Sequence, residues 1–308
     1  MKIRLAIALL VVGSSALLSA QVERLTIRMV PAPNQTLHVR TSMDMTMSVT
    51  PDPSAAGGLP IPPVGTRMIT EAEHTSTVGP TDAKGHYQAR VVCDSATYSA
   101  TMNGQQMPAN GQPVPGAPPA ELIGAVVTFT YDDEGKVIDV ATDAAMPASM
   151  AEPLKQILTS VMGAAPPMTL SVGESVTIPT QLSLPLPTAP NIPAMTMAGE
   201  MRYTLTSVTF DGADRIAHLK VGMTNTMTQG ATVETGGGPA FSFEVHMNSE
   251  GTSDVNVDRG IVLHNEQRMT LDGAMRISAP SSVTPGSASP IPPMLIQGTI
   301  NLSADLTR

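Results

Sequence analysis

Methionine is the residue of this chain whose number and spacing could carry chemistry: there are 21 in 308 residues, against no tryptophan, four tyrosines and four phenylalanines. Met43, Met45 and Met47 alternate with Asp44 and Thr46, so an extended strand would set three thioethers on one face. Met195 and Met197 repeat that spacing. Soft thioethers suit Cu(I). They also fill irregular apolar space where rings are scarce. The three strand methionines run in phase with Leu37, Val39 and Val49, which assigns them to a core or to the lining of an apolar pocket, with weak Cu(I) binding as the alternative.

Other reactive side chains are dispersed. His38, His74, His86, His218, His246 and His264 are too far apart in sequence to form ligand pairs, and no metalloprotease, nucleophile-elbow or phosphate-loop motif occurs. Several histidines fall on the polar phase of their strands, which predicts solvated imidazoles. Asp132-Asp133-Glu134 reads as a turn, and Glu71-x-Glu73 points two charges off one strand face. A glycosidase needs carboxylates opposed across a cleft and usually rings to hold the sugar. Cys93, the single cysteine, permits no intrachain disulfide and lies in phase with Tyr87, Ala89 and Val91, as a small buried hydrophobe would. The sequence therefore predicts a protein that is not an enzyme and needs no cofactor.

The elements that would position these residues follow a two-residue period. Odd positions from Leu37 to Val49 are apolar or threonine, while His38, Arg40, Ser42, Asp44, Thr46 and Ser48 occupy the even ones. Alternation of this kind marks a strand with one buried face. It recurs in Leu25–Met29, Val127–Tyr131, Phe241–Met247, Met269–Ile277 and Ile296–Leu306, and less regularly near 66–78, 86–100, 170–178, 200–210 and 215–227. About a dozen strands result. Asp132–Gly135, Asp211-Gly212, Glu250-Gly251 and Asp258–Gly260 read as tight turns, and Asp272-Gly273 as a turn or a bulge. Ser149–Gly163 breaks the rhythm: Met150, Leu154, Ile157, Leu158, Val161 and Met162 have helical spacing, predicting one amphipathic helix. Pro/Gly/Ser tracts at 51–64, 103–120, 179–194 and 279–293, and a glycine run at 236–239, read as loops at one rim of the sheet.

Lys2 and Arg4, the apolar run Leu5–Val12 and a small residue at Ala20 have the form of a signal peptide. Cleavage after Ala20 would remove two basic residues and take the formal charge from −9 to −11. The expectation is a periplasmic or secreted protein of one β-rich domain, 21–308. Two similar sheet halves, 21–145 and 168–308, would be joined by helix 149–163. The halves share a faint echo: Leu37-His38-x₄-Met43 recurs as Leu263-His264-x₄-Met269, and Pro-Ile-Pro-Pro follows each, at 60–63 and 290–293. An acidic, ring-poor chain argues against nucleic acid as a partner.

Leu25-Thr26-Ile27-Arg28-Met29, the segment Val172-Gly173-Glu174-Ser175-Val176, and the turns Asp132–Gly135 and Asp258–Gly260 resemble secreted bacterial β-proteins classed under domains of unknown function, with Val176 where those chains carry tryptophan. That resemblance implies architecture and no activity. A one-sided antiparallel sheet around a helix is also similar, as architecture, to periplasmic lipoprotein carriers of the LolA and LolB kind.

The predicted fold is mainly β: a curved antiparallel sheet, half-barrel or open barrel, with a two-layer sandwich as the alternative. A dozen strands with one apolar face each exceed what one short helix can cover. The predicted role is to bind or carry an apolar ligand or lipid, with Met43, Met45, Met47, Phe243, Val245, Met269, Met275 and Ile300 lining the site. The alternative is an interaction protein acting through its proline loops.

Overall fold

The computed structural model describes residues 24–54, 62–107, 123–143, 155, 166–184, 195–230, 240–278 and 292–307. Fourteen strands run through them: β1 (Leu25–Ile27), β2 (Gln35–Pro51), β3 (Val64–Val78), β4 (Tyr87–Met102), β5 (Gln105–Met107), β6 (Val126–Tyr131), β7 (Val137–Thr142), β8 (Met168–Leu170), β9 (Ser175–Leu184), β10 (Met195–Asp211), β11 (Asp214–Gln229), β12 (Ala240–Asn256), β13 (Ile261–Ser278) and β14 (Met294–Thr307). Strands β2–β4 and β10–β14 are 14 to 18 residues long. At about 3.3 Å per residue they span roughly 50–60 Å, well beyond the usual strand of five or six residues.

Twelve strands form one antiparallel sheet in the order β7-β6-β4-β3-β2-β14-β13-β12-β11-β10-β9, with β5 paired to the end of β4. The order has two ends, β7 and β9, and does not close into a barrel. Each chain half folds as a meander, and the two meet where β2 pairs with β14, so the halves hydrogen-bond into one sheet instead of packing as two layers. Most tight turns lie at one end of the long strands, here called the base; the Asn103-Gly104 hairpin that joins β4 to β5 lies at the other, so the predicted loop 103–120 begins as a turn and a short strand. Gly135, Gly173, Gly212 and Gly260 supply positive φ at the base. The strand ends that lead into the predicted loops 51–64, 179–194, 236–239 and 279–293 all lie at the opposite end, the rim.

The hydrophobic core sits at the base. A small sheet of β1 and β8 covers one flank, where Leu25, Ile27, Met168 and Leu170 pack with Tyr203, Leu205, Ala217, Leu219, Val221 and Val255. A second cluster joins Val78, Tyr87, Ala89, Phe129, Tyr131, Val137 and Val140, with Tyr87 and Tyr131 stacked at 5.2 Å. Residues 28–34 strap the two together: Met29 packs against the first cluster and Val30 against the second. Ala32 N–H also donates to the Arg259 carbonyl at 3.0 Å.

Several sequence expectations are corrected. Glu250-Gly251 is no turn. It lies within β12, where Gly251 faces Gln267 of β13 so closely that a Cβ would collide with the Glu266 carbonyl. Asp272-Gly273 continues β13 without a register shift, and the glycine makes room for Val245. In both cases glycine answers a close approach of backbones, not a reversal. Pro179 lies inside β9, where an edge strand tolerates a missing N–H. Segment 170–178 is two strands, β8 and β9, divided by the turn at Gly173. The predicted helix 149–163 lies outside the described residues except for Lys155, whose Nζ is 3.5 Å from Asp139 Oδ1.

Candidate functional site

Directly paired residues of neighbouring strands project to the same face, so the registers show what each face carries. One transverse row reads Ala100, Met68, Met45, Ile300, Met269, Ser249, Met223, Met201 and Ile178 across nine strands. The next row toward the base holds Tyr98, Thr70, Met43, Leu302, Gln267, Gly251, Val221, Tyr203 and Val176. Toward the rim follow Met102, Thr66, Met47, Gly298, Leu271, Met247, Asn225, Gly199 and Thr180. Beyond them come Val64, Val49, Ile296, Gly273, Val245, Met227, Met197 and Leu182. A last short row is Pro51, Met294, Met275, Phe243 and Gln229. None of these five rows contains Asp, Glu, Lys, Arg or His.

All eight predicted lining residues thus share one face. Met45, Ile300 and Met269 are consecutive members of one row, and Phe243 stands beside Met275. Burial is uneven. Val245 and Met247 are buried on β12, whereas Met43, Met45, Met47, Met269, Met275 and Ile300 are only half-buried. Among the residues whose burial is described, the four central strands β3, β2, β14 and β13 give the buried core only Val78, Leu37 and Ile261, all at the base. Their apolar sides further up are partly open.

Several polar atoms on this face turn onto sulfur or each other. Tyr98 Oη donates to Met68 Sδ at 3.0 Å and Tyr203 Oη to Met201 Sδ at 2.6 Å. Burial pushes the Tyr203 hydroxyl above its ordinary pKa. Thr180 Oγ1 donates to Asn225 Oδ1 at 2.7 Å, and Ser249 Oγ donates to Gln267 Oε1 at 3.2 Å. Sequence reasoning missed Asn225 and Gln229. Their signal was polar residues on the apolar phase Val221, Met223, Asn225, Met227, Gln229.

The opposite face is ionic. A row near the base reads Ser207, His218, Asp254, His264, Asp305, Arg40, Glu73 and Ser95, so basic and acidic side chains alternate over six strands. His218 Nδ1 lies 2.7 Å from Asp254 Oδ1, and its Nε2 lies 2.8 Å from Thr209 Oγ1. His264 Nδ1 lies 2.6 Å from Asp305 Oδ1, and that contact raises the imidazole above its usual pKa despite some loss of hydration. These two histidines are paired surface groups, not merely solvated ones. Asp254, His218 and Thr209 form a chain of carboxylate, imidazole and hydroxyl contacts beside a cavity of about 600 Å³ lined by Thr206, Lys220, Glu250 and Thr252. Further along the polar face, a furrow of about 550 Å³ crosses β2, β14, β13 and β12 between Asp44, Glu266 and Arg268. Among the described residues, no group of three or more His, Cys, Asp or Glu could hold a metal ion.

His74 is the one histidine on the apolar side, paired with Val39 and Cys93, and burial lowers its pKa. Cys93 is half-buried beside it; its Sγ donates to the Ser95 carbonyl at 3.7 Å, and burial raises the thiol.

No helix among the described residues is long and apolar enough to cross a membrane. Comparison with protein-family models finds no match, and comparison with curated proteins finds none. Among solved structures the chain is similar to lipovitellin, in a structure titled for its lipid–protein interactions, at 9% identity and a TM-score of 0.42. That likeness covers 90% of this chain, which spans only about a quarter (25%) of the lipovitellin chain. An outer membrane channel from Pseudomonas putida F1 is similar at 8% identity, with 91% of this chain and 98% of that one covered and a TM-score of 0.18. OpdL of Pseudomonas aeruginosa is similar at 7% identity, with 89% and 99% covered and a TM-score of 0.20.

Proposed function

We propose that this chain is an exported, non-catalytic protein that holds an apolar molecule of the lipid class against its methionine-rich sheet face. One observation carries the proposal: five successive rows, up to nine strands wide, hold no ionisable carboxyl, amine, guanidine or imidazole and stay half-open over the central strands. Soluble proteins rarely leave broad apolar patches uncovered, and such patches mark binding surfaces. Methionine, unbranched and polarizable, adapts to acyl chains of varied shape. An open sheet face suits an extended chain better than a compact ligand, which needs an enclosed pocket.

The sheet curls toward this face as a half-barrel. Support for the curl comes from glycine: a Cβ on Gly199, Gly251 or Gly298 would strike the backbone of the neighbouring strand, and glycine marks such tight bends. The test is native mass spectrometry of protein purified from its own periplasm or medium, joined to titration with a fluorescent fatty-acyl probe. Co-purified lipid and saturable probe binding are expected. Absence of both refutes the proposal, and a bound copper ion would support the Cu(I) alternative.

An interaction role is favoured by a different observation, the gathering at one rim of the strand ends that lead into proline- and glycine-rich tracts of sequence. Capture of one defined partner that is lost on exchanging those tracts for Gly/Ser linkers would support it.

A further inference from the structure

Asn225 and Gln229 sit on the apolar side of β11, 2% and 4% exposed, and the amide nitrogen of each has no hydrogen-bond partner. A buried donor left unpaired is costly, and native structures carry few of them. Leucine or methionine would avoid the cost at both positions. The Asn225 amide is held in place: its Oδ1 accepts from Thr180 Oγ1 at 2.7 Å, and it folds across Gly199, where any side chain would collide with it. Its Nδ2 is left over, in the row that continues through Met247 and Leu271 toward Met47. Gln229 stands four residues on, at the rim end, paired with Phe243 beside Met275, roughly 13 Å away along the strand.

We infer that these two amides are anchors for the polar part of the bound molecule, which rests on the apolar-face proposal above and narrows its ligand class. Each orphan group is a donor, so the ligand brings acceptors. The five rows hold no cation to balance a buried carboxylate, and an unpaired buried charge is strongly unfavourable. The acceptors are therefore neutral carbonyls, as in ester- or amide-linked acyl lipids, and free fatty acid anions are disfavoured. As the packing over β11 opens to admit the ligand, the carbonyls meet the buried amides of Asn225 and Gln229, and the chains lie along the methionine rows toward β13, β14 and β2.

The test uses the full chain and three probes: dioleoylglycerol as a neutral ester, oleate at pH 8 as an anion, and a pyrene-labelled alkane with no acceptor. Asn225→Leu keeps the side-chain size and removes the donor. It is expected to weaken ester binding about tenfold, leave alkane binding within twofold, and keep or raise the urea midpoint. Gln229→Met should act in the same direction, and the parent should prefer the ester to oleate. Unchanged ester affinity in both variants, or equal loss of ester and alkane, overturns the anchor assignment while leaving the apolar face standing. Failure of the parent to bind the alkane overturns the apolar-face proposal itself, and this inference with it.

Discussion

Ile27→Ala and Met45→Ala separate a packed core from a binding face. Ile27 is 0% exposed among Leu25, Leu170 and Leu205. Trimming its side chain removes three carbons, about 2.4 kcal/mol of transfer free energy at ~0.8 kcal/mol each. The cavity left in a surrounded site raises the loss to about 3–4 kcal/mol. Met45 lies between Met68 and Ile300 in the half-open row. Part of its side chain already meets solvent and no closed void results, so about 1 kcal/mol or less is expected. Urea unfolding at constant m-value reads both numbers. The acyl-probe titration should invert the order, with Met45→Ala binding several-fold more weakly and folded Ile27→Ala binding as the parent does. If Met45→Ala costs as much stability as Ile27→Ala, the central methionines are core, and the distinction drawn between base and open face is wrong.

Gly251→Val should destabilise by about 1–3 kcal/mol, because its Cβ would strike the Glu266 carbonyl. Gly222→Val, whose Cβ would come no nearer than 3.8 Å to the Ser249 carbonyl, should cost less than about 1 kcal/mol in the same assay; equal losses would refute the close-approach account. The raised His264 pKa means that the folded protein holds this proton more tightly than the unfolded chain does. Its stabilisation is complete below the unfolded value near 6.5 and fades as pH rises through the folded one. The stability gap between parent and His264→Gln should therefore be widest at mildly acid pH and close at alkaline pH. Burial, joined by Tyr87, pushes Tyr131 up to about 12, so ultraviolet titration of the folded protein should leave this phenol protonated at pH 11, where urea-unfolded chain is mostly ionised.

Much of the sheet was legible because a half-buried strand writes its period directly into the chain. Leu37–Val49 shows it, and so do Met269–Ile277 and Ile296–Leu306, which became β2, β13 and β14. Glu250-Gly251 and Asp272-Gly273 misled because an acidic residue before glycine signals a turn only when glycine is needed for positive φ. Here it was needed to let two backbones approach. The alignment of Met45 with Ile300 and Met269 became visible only once the registers were known. The alternation His218, Asp254, His264, Asp305 and Arg40 draws one residue from each of five strands, and no local pattern predicts such an order. Asn225 and Gln229 were readable as polar interruptions of an apolar phase, but their missing partners are a property of the folded environment alone.

The seam between β2 and β14 bears on how the protein reaches this state. The first long strand and the last described one are hydrogen-bonded neighbours over His38–Pro51 and Met294–Thr307, so the middle of the sheet stays unzipped until β14 has been made. Until then each meander presents a ribbon edge of more than a dozen residues, with a methionine flank, to any other chain nearby. Closing so distant a contact is slow, and unpaired edges invite intermolecular pairing. Refolding yield should accordingly fall steeply with protein concentration, and a holding chaperone that masks those ribbons should restore it.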